Sequence, residues 1–408
     1  MKTLDKNYKQ LSKNGRMKSF ITSNHLEEGD MISTGLVNSE EGFDALEKEW
    51  SMLLKISGAH IFQSFEWQRI WWRHLNNHQQ LHIITFRNND QLIGIAPFYL
   101  EKSTLFYRFV FLTLKFIGCT GSGCANEINW TKPDAPYYLD VIVDPNYEDK
   151  IAEILLLYFE KAGDQFNQVD FDEVPDESFL MRKVVPRLAE KKWSFEMSQK
   201  NFNPRIKLPD SIEGLMLKSS ATYDERNTQK SDSTELVIEN AKTQDDVDLT
   251  FENLVLLQQT YWKQQPHCEM ITEQKYTHYL KEVMDTFFRK GWIKINTARS
   301  YNNCIAVDLS FIYNSRVYDF LRVLDNELTL SRYDAGKSLT YNLLVEAINF
   351  KSKVIDLQSG DEYKAFIADD HYATWQINIP HTKERKGMKY KLYKLLYLSK
   401  KKLRNQNV

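Results

Sequence analysis

The stretch SRYDAGKSLTYNLLVEAINFKSKVIDLQSGDEYKAF, from Ser331 to Phe366, decides how the rest of the chain is read. Its apolar residues first recur at helical spacing, which predicts a helix from Gly336 to Phe350, and then form a short β-branched run, which predicts a strand from Val354 to Leu357. A loop around Gly360 follows, with a short helical segment near Glu362. A helix opening at Gly336 leaves unpaired N–H groups and the positive end of its dipole facing the polar loop Asp325 to Ala335, a setting that suits a diphosphate. Gly336 permits close approach, Arg332 and Lys337 add positive charge, and Ser338 adds a donor. The plainer alternative is a strand-to-helix turn with one glycine and solvated basic side chains. Gly336-Lys337-Ser338 also ends like a nucleotide-binding P-loop, but Ser331 stands where that loop needs its first glycine, so a wrapped triphosphate is not expected.

Upstream, three strands are predicted at Trp292 to Arg299, Cys304 to Tyr313 and Arg316 to Leu324, separated by Asn302-Asn303 and Asn314-Ser315 turns and therefore forming an antiparallel meander. Before them come a strand, Glu235 to Glu239, and two helices, Gln244 to Lys263 and Thr272 to Lys290, the second closed by Gly291. After them, Thr374 to Ile379 predicts a last strand. The first half has the same order: two helices over residues 42–75, strands at Leu81 to Phe86, Leu92 to Leu100, Phe106 to Ile117 and Tyr137 to Val143, then helix Tyr147 to Ala162 and strand Gln168 to Phe171. Helix Glu177 to Lys192 and strand Trp193 to Met197 complete it. The polar segment SSATYDERNTQKSDS, residues 219–233, reads as a linker between the halves. The expected organisation is a loosely ordered leader over 1–40, a first lobe over 41–218, the linker over 219–233, a second lobe over 234–380 and a basic tail over 381–408.

The whole-chain balance narrows the function. Lys+Arg number 53 and Asp+Glu 55, so a net charge of -2 gives no general attraction to DNA or to an anionic membrane. The start of the chain lacks the apolar run of a secretory signal, and the most apolar stretch, Leu105 to Ile117, is broken by Arg108 and Lys115. Four scattered cysteines, Cys119, Cys124, Cys268 and Cys304, make no disulfide framework; a reducing cytoplasm is expected. No HExxH and no zinc-spaced cysteine pairs occur, so no metal site is expected; neither a GxSxG elbow nor a papain-like cysteine context is present. Gly118, Gly121 and Gly123 are followed by Asn, Trp and Pro instead of a helix and read as a loop. Trp67 and Trp71, four apart on one helical face, read as core.

The motifs FQSFEWQRIWW (Phe62 to Trp72), LIGIAPFYL (Leu92 to Leu100), LKFIG (Leu114 to Gly118), the Trp262 helix, SRYDAGKSL (Ser331 to Leu339) and IDLQSGDEYKAF (Ile355 to Phe366), taken in this order, resemble the GNAT superfamily of acyl-CoA N-acyltransferases. Within it the chain resembles the CelD-like, cellulose-biosynthesis-type acetyltransferases, relatives of the FemAB peptidyltransferases. The resemblance spans about Glu41 to Pro380. It implies an α/β fold of two tandem GNAT-like mixed-sheet lobes. It also implies direct attack of an amine on the thioester of acetyl-CoA or another acyl-CoA within a ternary complex. The strand Arg316 to Leu324 then splays from the next strand and holds the cofactor arm, while the diphosphate sits by Arg332, Ala335, Gly336, Lys337 and Ser338. The superfamily's usual glycine loop is altered here, because Arg332 is followed by Ala335-Gly336 with one glycine shifted or missing.

The same resemblance turns the loop after the fifth strand into a candidate catalytic segment holding Asp356, Asp361, Glu362, Tyr363 and Lys364. A carboxylate there can take the proton of the attacking ammonium, Tyr363 can protonate the departing thiolate, and Lys364 aligns with a lysine that FemAB relatives place near the acyl group. Asp356 and Lys364 form the preferred pair. The competing reading has Asp361 capping a short helix and Lys364 solvated. The expected acceptor is a small-molecule amine, such as an amino sugar or an envelope or polysaccharide precursor. The alternatives are an aminoacyl-tRNA donor, as in FemAB proteins, or a GNAT-fold binding protein without catalysis. The tail from His381 to Val408 carries ten Lys/Arg against Glu384 alone and reads as a basic amphipathic helix. It packs on the second lobe or, in the other reading, touches a membrane or an anionic polymer; tRNA contact is not favoured.

Overall fold

The computed structural model describes residues 18–21, 32–105, 109–118, 138–162, 165–214, 236–263, 274–325, 329–358 and 368–381; for 18–21, 104, 105, 109, 260–263 and 329–334 only the backbone is described. The first half runs β1 (Lys18–Ile21), β2 (Ile32–Val37), α1 (Glu40–Asp44), α2 (Glu47–Ser57), α3 (Phe65–Leu75), β3 (Gln80–Asn88), β4 (Gln91–Leu105), β5 (Phe109–Phe116), β6 (Ile142–Val143), α4 (Glu148–Lys161), β7 (Gln168–Pro175), α5 (Val185–Glu190) and β8 (Glu196–Lys207). The second runs β9 (Leu236–Asn240), α6 (Gln244–Lys263), α7 (Gln274–Lys290), β10 (Ile293–Ser300), β11 (Asn303–Tyr313), β12 (Arg316–Leu324), α8 (Thr329–Asn349), β13 (Val354–Asp356) and β14 (Asp370–Pro380). The repeated order foreseen from the sequence is present. β10, β11 and β12 form the expected meander; its second turn is Asn314-Ser315 as expected, while its first is Tyr301-Asn302, one residue earlier than expected, all four residues in the left-handed region.

All the described strands join one mixed sheet, in the order β1-β2-β3-β4-β5-β7-β14-β8-β13-β12-β11-β10-β9, with β6 beside β4. The lobes exchange strands at its centre. β14, from the end of the second lobe, lies antiparallel between β7 and β8 of the first, and β8 in turn pairs with β13. A seam of aromatic side chains joins the lobes a second time. Ser64 caps α3 by accepting the Trp67 amide, which starts the helix so that Trp67 packs edge-on against Tyr279, Phe311 and Phe320 of the second lobe. Trp71 meets Tyr99 on the first lobe. Both tryptophans are buried, as their spacing suggested.

Two boundaries differ from the sequence reading. The segment read as a loose leader contains β2, which pairs along its length with β3, so the first lobe includes residues before Glu41. ISTGLV has too few large apolar residues to signal a strand by itself; its partner supplies the stability. Further on, α8 opens at Thr329, not at Gly336. Gly336 therefore sits inside the helix, where its carbonyl accepts from Thr340 Oγ1 at 2.9 Å and from Arg322 of β12 at 3.3 Å. The polar residues that looked like a loop form the first two turns of a helix whose inner face packs Ala335 and Leu339 against β10 and β11.

The face of β7 opposite the apolar core of the first lobe carries Asp170, Asp172 and, at the following bulge, Glu173. Burial, and then the neighbouring Asp172 carboxylate, push Glu173 from an ordinary 4.5 up to about 8, while it accepts from Thr374 of β14 and from Asn201 of β8 at 2.5 Å. The folded protein thus keeps a proton that the unfolded chain releases, and stability falls as pH rises from about 4.5 to about 8. Glu173→Gln, with Oε1 accepting from Asn201 and Nε2 donating to Thr374 Oγ1, is expected to flatten that decline, most visibly above pH 7. Urea denaturation at a series of pH values measures it; parallel curves for the two proteins would refute the assignment.

Candidate active site

β12 and β13 run parallel and pair over only three positions, Arg316 with Val354, Val317 with Ile355 and Tyr318 with Asp356. Beyond Tyr318 a bulge at Phe320 bends β12, and from there β11 is the only strand paired with it among the described residues. The result is a forked pair of strands with Tyr318 and Asp356 at its apex.

The corresponding fork in the first lobe lies between β5 and β7, which pair only at Thr113 with Gln168 and Leu114 with Val169. It is filled by the chain itself. The Leu139 amide bonds to the Glu173 carbonyl, Ile142 and Val143 pair with Ile95 and Gly94 of β4, and the Leu139 side chain lies against Gly118. Gly118, at φ 99, is a position that glycine alone takes easily. Residues 138–143 are buried in that gap.

At its apex Asp356 is 1% exposed and holds three donors: Tyr138 Oη and Tyr372 Oη, each at 2.6 Å, and the Gln358 amide at 2.9 Å. Burial pushes its pKa up, against the two hydroxyls, the amide and the nearby Arg205, which hold it down. The Arg205 guanidinium stacks over the Tyr372 ring at 3.4 Å. Tyr138 comes from the first lobe, Asp356 from β13 and Tyr372 from the exchanged strand β14, so one carboxylate ties three segments together.

His60, just after α2, reaches the same apex. Its Nδ1 lies 3.0 Å from Tyr318 Oη and its ring packs on Tyr138 at 4.9 Å between centroids. Burial, followed by the charges of Arg316 and Arg205, holds its pKa well below the usual histidine range, so the imidazole is neutral at pH 7. His60 also lines a cleft of about 140 Å³ at the lobe junction, together with Gln63, Asp140, Glu148, Glu177, Arg182 and Arg316. Asp140 in that wall caps the turn leading to α5 by accepting the Phe179 and Leu180 amides, and burial raises it to about 7.

Of the residues singled out in the sequence, Asp356 stands at the fork. Gly336, Lys337 and Ser338 lie within α8, Ala335 is buried on that helix, and Arg332 falls in its first two turns. Asp361, Glu362, Tyr363 and Lys364 lie outside the described residues, as do the linker over 219–233 and the tail from residue 382. Sequence reasoning missed Tyr138, His60, Tyr318, Tyr372 and Arg205. They are brought together by long-range pairing from five separate segments, and no local spacing marks them.

This architecture, two α/β lobes each with a forked parallel strand pair, defines an acyltransferase fold of the GNAT type. Residues 219–372 match the family model of the acetyltransferase (GNAT) domain. Among solved structures the chain is similar to FemX, at 9% identity and a TM-score of 0.53, over 86% of this chain and 98% of that one. It is also similar to the C-terminal domain of a putative lysylphosphatidylglycerol synthetase from Agrobacterium fabrum, at 8% identity and a TM-score of 0.50, over 83% of this chain and 92% of that one. At such identities the likeness speaks for the fold. No curated protein matches the sequence. The family match falls on the second lobe and makes this protein an acyltransferase carrying a GNAT acetyltransferase domain. Among the described residues no helix is long and apolar enough to cross a membrane, and no group of His, Cys, Asp and Glu is arranged to hold a metal ion.

Proposed function

We propose that the protein transfers an acyl group from acetyl-CoA or another acyl-CoA to an amine, by direct attack within a ternary complex. The supporting observation is the fork: beyond Tyr318 and Asp356, β12 turns away from β13 and leaves a strand edge along which a pantetheine arm can lie, with its thioester at the apex. The new bond is N–C and the broken one C–S; of the two protons the ammonium gives up, one passes through a base to solvent and the other ends on the CoA thiolate. In this reading the diphosphate rests on the amides of the first turn of α8, which have no partners within the helix, and Arg332 adds charge; the site moves from Gly336 to the helix start at Thr329. Asp356 acts as a positioning residue that fixes Tyr138 and Tyr372. The proton transfers fall to the loop after β13, with Lys364, Tyr363, Asp361 and Glu362 as its candidates. The acceptor is an amine of the kind carried by an amino sugar or an envelope polysaccharide precursor, and the site of action is the cytoplasm, where acyl-CoA is made.

Thermal unfolding with CoA, acetyl-CoA and longer acyl-CoAs tests this. A rise in Tm that Arg332→Glu abolishes is expected, since the substitution reverses charge at the helix start. Gly336→Ala should keep the rise and add about 0.5–1 kcal/mol of stability, because an added Cβ would meet only Leu324 Cδ1, at 3.9 Å, and alanine is the better helix former. No response to any of these compounds would remove the acyl-CoA reading.

A further inference from the structure

The cleft at the lobe junction is lined by charges that are almost all spoken for. Glu148 holds Arg182 through two hydrogen bonds, at 2.6 and 2.9 Å. Glu177 holds Arg205 at 3.1 Å, and Asp140 is occupied by backbone amides. Arg316 is the exception: it lines the cleft, and its side chain has no hydrogen bond or ion pair among the described residues. Arg205 also keeps Nε and Nη2 buried without a hydrogen-bond partner among those residues. Both cations lie close enough to His60 to disfavour its protonation.

His60 Nδ1 and Tyr318 Oη share one hydrogen bond, and when the tyrosine donates it the neutral ring keeps its hydrogen on Nε2, facing away from the tyrosine. A neutral imidazole N–H and an uncompensated guanidinium in one small concave site suit an anion. We propose that the cleft lined by His60 and Arg316 binds an oxyanion, a phosphate or carboxylate group, carried by the acceptor molecule.

The cofactor's phosphates do not fill this role. Arg316 opens β12 and Arg322 lies six residues on, roughly 20 Å away at about 3.3 Å per residue, with the start of α8 beyond the far end of the strand. The cleft meets the fork at Tyr318, which His60 touches, so an acceptor anchored there presents its amine toward the apex. Attribution of the anion to the acceptor rests on the acyltransferase reading proposed above; occupation of the cleft by an anion does not.

The test follows the His60 imidazole resonance by NMR at pH 7 in the full chain, assigned by its loss in His60→Gln, during titration with inorganic phosphate and, separately, with succinate. A saturable shift in the millimolar range is expected with at least one of them, and the responding anion identifies the group as phosphate or carboxylate. Arg316→Gln is expected to weaken that binding at least tenfold with an unchanged circular dichroism spectrum. No saturable shift with either anion, or equal affinity in Arg316→Gln, overturns the proposal. The rise in Tm with CoA should survive in Arg316→Gln; its loss there would assign the cleft to the cofactor and overturn the proposal as well. Anion binding in a wild-type protein that ignores every CoA compound would uphold the cleft and defeat the acyltransferase reading.

Discussion

Fragments comprising residues 1–214 and 236–408 are expected to fold only together. The first keeps β7 and β8 but lacks β14, which separates and pairs with both of them in the intact chain. The second keeps β13 and β14 but lacks β8, leaving β13 paired on one side by β12 over three positions and β14 with no strand beside it. Each fragment would then expose long unpaired edges and the aromatic faces that meet at Trp67, a state prone to association. Produced separately, neither should show a cooperative thermal transition; produced together, they should form a stoichiometric complex that melts near the intact protein. Circular dichroism and gel filtration give the readout. A fragment that melts cooperatively by itself near the intact Tm would show that the exchange does not govern stability.

Asp356→Ala is expected to cost about 3–5 kcal/mol, a large share of the roughly 5–15 kcal/mol that holds a typical domain folded. The substitution strands two tyrosine hydroxyls and one backbone amide, all buried, and leaves Arg205 without the nearby carboxylate. Tyr372→Phe removes one hydroxyl and keeps the carboxylate bound by Tyr138 and Gln358, so a smaller loss, about 1–2 kcal/mol, is expected. Urea unfolding of both single variants and the double variant measures the coupling between the two side chains. A loss below about 1 kcal/mol for Asp356→Ala would mean that the carboxylate is not the tie that its hydrogen bonds suggest, and would favour a directly chemical role for it.

The two-lobed order of helices and strands was legible in the sequence because each element carries a local period: helical steps through Tyr276, Tyr279, Leu280 and Val283, and hairpin turns at Asn302 and Asn314. The start of α8 was misplaced because Ser331, Arg332, Tyr333 and Asp334 are polar and precede a glycine, a pattern that normally marks a loop; nothing local to it tells that Leu324 and Arg322 of β12 receive Gly336. The exchange of β8 and β14 was illegible for a deeper reason. Either strand could complete its own lobe with the same alternation of side chains, and partner choice is a property of the whole sheet. The apex was half legible: Asp356 stood in a suggestive loop, while Tyr138 and Tyr372 lie 218 and 16 residues from it in sequence.

The central position of β14 also sets a schedule for the nascent chain. β7 is complete at Pro175, but its neighbour ends at Pro380, about 200 residues later, a wait of roughly 10–40 s at usual rates of bacterial or eukaryotic translation. Until the ribosome delivers that strand, the emerging amino-terminal half carries an open sheet edge, which makes it a natural client for chaperones and makes the arrival of β14 the locking step.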